Sequence, residues 1–205
     1  MKKTILKIFS ALLFSTALNA ADISFGVSGS ILDVNGTGTE TTRQSGEKNN
    51  GSASNSIGIG SVFVENNFGN FSLGLDYIPF KADVSDKVKT RTDSNASGDS
   101  GTYRAQAELK NHLTLYGLVP FGNNLFFKAG VAQVDVITKE SATITASTYG
   151  DDTVYGGLIG LGVQKDNWRF AVEYTDYETI SLTSNASNKI DANLDTTAFK
   201  LSYSF

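Results

Sequence analysis

The sequence has no cysteine, two prolines, one histidine and one tryptophan, and no later apolar run as long as a transmembrane helix. Without cysteine the chain takes its stability from something other than disulfides, which an exported protein is otherwise free to use. A spanning helix needs about 20 consecutive apolar residues, so any crossing of a bilayer falls to strands. Basic charge is also short. Seventeen Lys and Arg against 21 Asp and Glu give a formal charge of −4, and such a chain lacks the basic patches that bind nucleic-acid phosphates. HExxH, CxxC and P-loop patterns are absent too, which removes the common zinc, redox and nucleotide signatures.

What is present begins with an export signal. Lys2, Lys3 and Lys7 precede an apolar run over 8–18, followed by the small residues Ala20 and Ala21. This is the layout of a signal peptide, with cleavage expected after Ala20; a retained anchor is the alternative. Residues 21–205 then form one domain. Losing three lysines and no acid moves the formal charge from −4 to −7.

The segment 199–205 alternates strictly: Phe199, Leu201, Tyr203 and Phe205 against Lys200, Ser202 and Ser204. A strand places these two sets on opposite faces. In a soluble protein the aromatic edge would invite aggregation, whereas in a membrane barrel it closes the sheet and meets lipid. The same period of two predicts eight strands, at 22–32, 56–65, 71–78, 103–119, 125–136, 154–163, 168–177 and 194–205. In the second, Ile57, Ile59 and Phe63 compete with Val62 and Val64 for the outer face.

Long polar connections (33–55, 80–102, 137–153, 178–193) alternate with short ones (66–70, 120–124, 165–167). That rhythm predicts an all-β, eight-stranded antiparallel up-and-down transmembrane barrel, with long loops outside and short periplasmic turns. Phe71, Phe121, Phe127, Trp168 and Phe205 fall near the short turns, and Tyr77, Tyr103, Tyr155 and Tyr174 near the long loops. Two such bands match interfacial girdles. A soluble calyx with the apolar face inward is the rival architecture.

With the polar face inside, Asp76, Arg104, Glu108, Lys110, His112, Arg169, Glu173 and Lys200 are expected to share the lumen. Eight strands leave room only for side chains, so these charges should pair. The sole histidine, His112, is read as part of this network rather than as a general base, because Glu108, four residues away along an extended strand, is out of reach. The acids Asp83, Asp86, Asp93, Asp99, Asp151 and Asp152 lack EF-hand spacing and read as solvated loop charge. No metal or cofactor is expected.

The segment 156–177 (GGLIGLGVQKDNWRFAVEYTDY), with FKAGVA at 127–132 and TTAFKLSYSF at 196–205, resembles the small OmpA-like outer-membrane β-barrel domains. The likeness is best over the last 80 residues. It implies an outer-membrane location and recognition of the final strand, Phe199, Leu201, Tyr203 and Phe205, by the barrel-assembly machinery after escort by periplasmic chaperones. Phe205 would be the terminal anchor. The separate peptidoglycan-binding domain of full-length OmpA is expected to be missing.

The expected partners are outer-membrane lipid and lipopolysaccharide, the latter reached by Lys81, Lys87 and Lys89, and the protein is expected to be monomeric. A non-enzymatic structural or surface-interaction role is the leading reading. A narrow OmpW-like conduit and a lipid-modifying enzyme are the alternatives.

Overall fold

The computed structural model describes residues 23–43, 45–84, 89–94, 100–142, 148–185 and 187–205. The expected signal peptide, Asp86, Asp99 and Lys87 lie outside the described residues, as do the side chains of Asp93, Lys89, Tyr103 and Arg104.

Among the described residues eleven strands follow one another: β1 (Ile23–Thr41), β2 (Lys48–Asn67), β3 (Ser72–Ile78), β4 (Ala82–Asp83), β5 (Lys89–Ser94), β6 (Ser100–Phe121), β7 (Leu125–Ala142), β8 (Asp152–Lys165), β9 (Trp168–Tyr177), β10 (Ile180–Thr183) and β11 (Lys189–Ser204). The ring runs β1-β2-β3-β6-β7-β8-β9-β11 and returns to β1, which makes eight wall strands, all antiparallel to their neighbours. β4 and β5 continue the line of β3 along β6, and β10 continues β9 along β11. The first and last strands close the ring: β1 and β11 pair from Gly26↔Ser204 to Thr41↔Lys189, and the Phe205 amide donates to the Phe25 carbonyl at 2.8 Å. Each strand of the ring pairs on both sides over at least part of its length, as a closed antiparallel barrel requires.

The short turns fall where expected. Gly69 and Gly122 take positive φ (83° and 62°) in two of them, and Asp166 (φ 52°) starts the two-residue turn between β8 and β9. A left-handed conformation suits Gly and Asp at such points.

The long connections differ from expectation. Much of 33–55, 137–153 and 178–193 is strand rather than loop, because β1, β2, β7 and β11 continue well past the apolar alternation. Thr, Ser and Asn on both faces still satisfy a backbone ladder, but they carry no period of two. The apolar signal therefore ends where the lipid-type face ends, and the strands do not. At β2 the competition resolves toward Val62 and Val64 outside, with Ile59 and Phe63 buried within.

The outward face is apolar over a continuous band. Phe25, Ile31, Ile159, Leu161 and Trp168 are each more than half exposed, and Val172, Phe199 and Leu201 stand beside them. Trp168 packs edge-on against Tyr203 at 4.9 Å, and Phe68 stacks on Phe71 at the same separation, both near the short turns. Tyr77 and Tyr174 face outward at the other border.

Candidate functional site

The barrel interior holds the charged residues, and its two halves are built differently. Among the described residues, three ion pairs occupy the lumen toward the short turns. Arg169 of β9 grips Glu65 of β2 with both terminal nitrogens, the second at 2.7 Å, and the Tyr116 hydroxyl donates to the same carboxylate at 2.6 Å. Lys128 of β7 donates to Glu173 of β9 at 2.6 Å and also lies 4.0 Å above the Tyr116 ring. Lys200 of β11 pairs with Asp76 of β3. All six side chains are nearly sealed from solvent. Burying a charge is costly unless it is paired and hydrogen-bonded, and each of these is.

Aromatic rings fill the remaining space. Phe63, Tyr116, Phe126 and Tyr177 stand directly across the ladder from Gly26, Gly74, Gly162 and Gly156. A Cβ at Gly74 would sit 2.3 Å from Tyr116, and one at Gly162 would sit 2.4 Å from Phe126. These wall glycines are the seats of the lumenal rings, which explains a strand as glycine-rich as β8.

Toward the long hairpins the interior is apolar. Val34, Val134, Val136, Val154, Leu109 and Leu194 form one buried cluster. Their neighbours on the outward face are polar, for instance Asp33 and Asn35 beside Val34, and Asn193 and Asp195 beside Leu194. The barrel wall therefore inverts its polarity along its length.

At the plane of inversion lies a cavity of about 50 Å³ bordered by Ile59, Ile78, Phe80, His112, Thr175 and Lys200, among others. His112 shares a 2.7 Å hydrogen bond through Nε2 with the Tyr177 hydroxyl. Among the described residues its Nδ1 has no hydrogen-bond partner.

Of the residues expected in the lumen, Asp76, His112, Arg169, Glu173 and Lys200 are brought together there. Lys110 borders the cavity from the irregular stretch of β6, whereas Glu108 is not in the lumen, and that expectation is corrected. β6 carries a bulge between Lys110 and Leu113, with Asn111 in the left-handed region (φ 53°). The extra residue shifts the alternation by one. Below it His112, Thr114 and Tyr116 face inward; above it Leu109 does, opposite Val136. Glu108 turns to the outer side of the wall, where Lys139 and the exposed Lys81, 3.2 Å away, pair with it and keep it buried. Lys110 stands at the bulge opposite Asp135, which is itself bonded by Asn111 and Thr153. The Arg104 side chain lies outside the described residues.

Sequence reasoning missed Glu65, Lys128 and Tyr116. Lys128, alone between Phe127 and Ala129, was a legible signal: one cation on the polar face of an apolar strand. Glu65 was hidden by the ambiguous register of β2. The loop acids that are described make local contacts, Asp151 accepting from the Thr138 amide at 3.0 Å and Asp152 from the Thr153 amide at 2.9 Å.

No family model matches the chain, and no curated protein does. Among solved structures it is similar to the outer membrane protease OmpT of Escherichia coli (11% identity, TM-score 0.47, covering 94% of this chain and 99% of that one). It is also similar to the outer membrane protein AlkL (15%, 0.46, 89% and 90%). A third is the attachment invasion locus protein Ail of Yersinia pestis (10%, 0.34, 87% and 97%).

Proposed function

We propose that this chain is an integral outer-membrane β-barrel protein with a sealed lumen, a non-enzymatic, monomeric scaffold that raises its polar hairpins above the membrane. The observation that carries the reading is the combination of a continuous exposed apolar belt outside with three buried ion pairs inside the same stretch of wall. In water such a belt would far exceed the few hundred Å² of apolar patch that soluble proteins tolerate. In lipid it is the expected surface, and the ladder satisfies the backbone.

Among the described residues the ion-paired layer and its aromatic filling stand across the lumen of the ring, which favours a scaffold over a conduit. Purified protein in planar bilayers tests this. Little or no conductance is expected, and reproducible channels would refute the sealed lumen. Heat-modifiable gel migration checks the embedding itself, since a protein staying in the soluble fraction with no shift on boiling contradicts it.

Lipopolysaccharide is the proposed neighbour at the outer border, met by the exposed Lys81. The aromatic face of β11, ending in Phe205, is proposed as the signal for the assembly machinery. Normal outer-membrane levels after deletion of Phe205 would sink that assignment.

A further inference from the structure

One stretch of the wall lacks a ladder. β2 pairs with β3 only from Val62↔Tyr77 to Asn67↔Ser72, although its other edge pairs with β1 up to Lys48. Beyond Tyr77 the neighbouring strand breaks at Pro79 and Phe80, and β4 resumes against β6 alone. Among the described residues the next tie across this seam is the Asn55 side chain, which donates to the Asp83 carbonyl at 2.8 Å. The result is a closed-ended window, with residues 56–61 on one lip and 79–82 on the other.

Both lips reach the cavity, through Ile59 on one side and Phe80 and Ala82 on the other. Phe80 is also 58% exposed and lies over the outward-facing Gly60, whose Cβ would meet the ring at 3.4 Å. Gly58 has open space where a side chain would stand, and it sits opposite Ile31 of the apolar belt. One ring thus separates the lipid-type surface from the interior.

We infer that the seam is a lateral entry, gated by Phe80, for an unbranched alkyl chain with a neutral hydrogen-bonding terminus that meets His112 Nδ1. A straight chain is required by size: a cavity of about 50 Å³ is far below the ~150 Å³ that accepts benzene. A neutral terminus is required by charge. Of the charges that border the cavity, Asp76 and Glu173 are paired with Lys200 and Lys128, and Lys110 stands opposite Asp135 on the ladder, so a buried ionic head would have to compete for a counter-ion already engaged. A hydroxyl both donates and accepts, and suits either tautomer of His112. The rest of the chain trails through the window into the lipid. The inference rests on the membrane embedding proposed above and not on the scaffold role.

The test is nuclear Overhauser contact between decan-1-ol and the methyl groups of the full, otherwise deuterated barrel in bilayer discs of deuterated phospholipid, with a second sample reversing the deuteration of alcohol and lipid. Contacts from decan-1-ol to Ile59 and Ile78 are expected, with the hydroxyl-bearing methylene nearest the cavity and a shifted His112 Nδ1 resonance. Gly60→Leu, which wedges against Phe80, should abolish them while heat-modifiable migration persists; His112→Phe should remove the contacts of that methylene. Contacts at the outward Ile31 alone would overturn the entry and leave the embedding intact. Contacts to Ile59 from phospholipid chains only would overturn the polar-ended ligand, and no contact even at Ile31 would overturn the embedding.

Discussion

Below the level of His112 this barrel is charged inside and apolar outside; above it the wall is apolar inside and polar outside. Asp76 and Lys200 face each other in the lumen at a height where Tyr77 and Phe199 face outward. A few rungs along the same strands, Leu194 is buried and Asp195 is outside. The difference teaches that the ring is one continuous hydrogen-bonded object with two solvents around it. The upper part is folded as a water-soluble barrel is, by apolar burial. The lower part has no such drive, because its outer surroundings are as apolar as any core, and specific polar pairing occupies its interior instead.

The comparison can be broken most severely at the bulge. Asn111→Val, a β-branched residue that resists the left-handed region, should press β6 toward an unbulged strand of the same length, turning Glu108 into the apolar cluster and Leu109 out of it. The expected outcome is loss of the folded, heat-modifiable form, and a fully folded Asn111→Val variant would show that the two halves are not coupled through this residue. Next in size, Arg169→Ala should leave Glu65 buried and unpaired, at a cost of about 3–5 kcal/mol in urea unfolding from vesicles. Replacing both residues by apolar ones of similar size, Arg169→Met with Glu65→Leu, should recover most of that loss. In the upper half Leu194→Ala should cost about 2–5 kcal/mol, the range of an ordinary soluble core. A negligible effect would mean that this half is not held by packing. The smallest contrast is on the outside: Val172→Lys within the belt should cost about 2–4 kcal/mol, and Asn35→Lys above it no more than about 0.5 kcal/mol. Equal costs would erase the boundary.

The architecture was legible in the sequence wherever lipid imposes a rule. Phe25, Val27 and Ile31 against Ser24, Ser28 and Ser30 announce a face, and so do the residues of β3, β7, β9 and β11. The site was legible in part, since Asp76, Arg169, Glu173 and Lys200 follow from the same alternation. What stayed hidden has physical causes. In β6 the polar residues at even positions run unbroken from Arg104 to Thr114, so nothing in their spacing reveals that Asn111 inserts a left-handed residue and exchanges the faces. The projecting strands are polar on one side and only sparsely apolar on the other, and Val34 or Leu194 standing alone among Thr, Asn and Asp does not mark a core until the ring brings such residues together.

The three ion pairs join strands far apart in the chain, with separations of 45, 104 and 124 residues. Arg169–Glu65 and Lys200–Asp76 act as spokes: each joins strands that meet only when the rim closes, whereas Lys128 and Glu173 share one rung across β8 and can pair in the open sheet. An incomplete sheet would hold these four charges unpaired against whatever fills its concave side, and only in the finished ring do they neutralise one another. The spokes therefore penalise every half-built form that has reached the hydrocarbon. The protein should pass from an open, wet sheet to a closed cylinder in one step, with the interior charges serving as the latch that makes closure and insertion a single event.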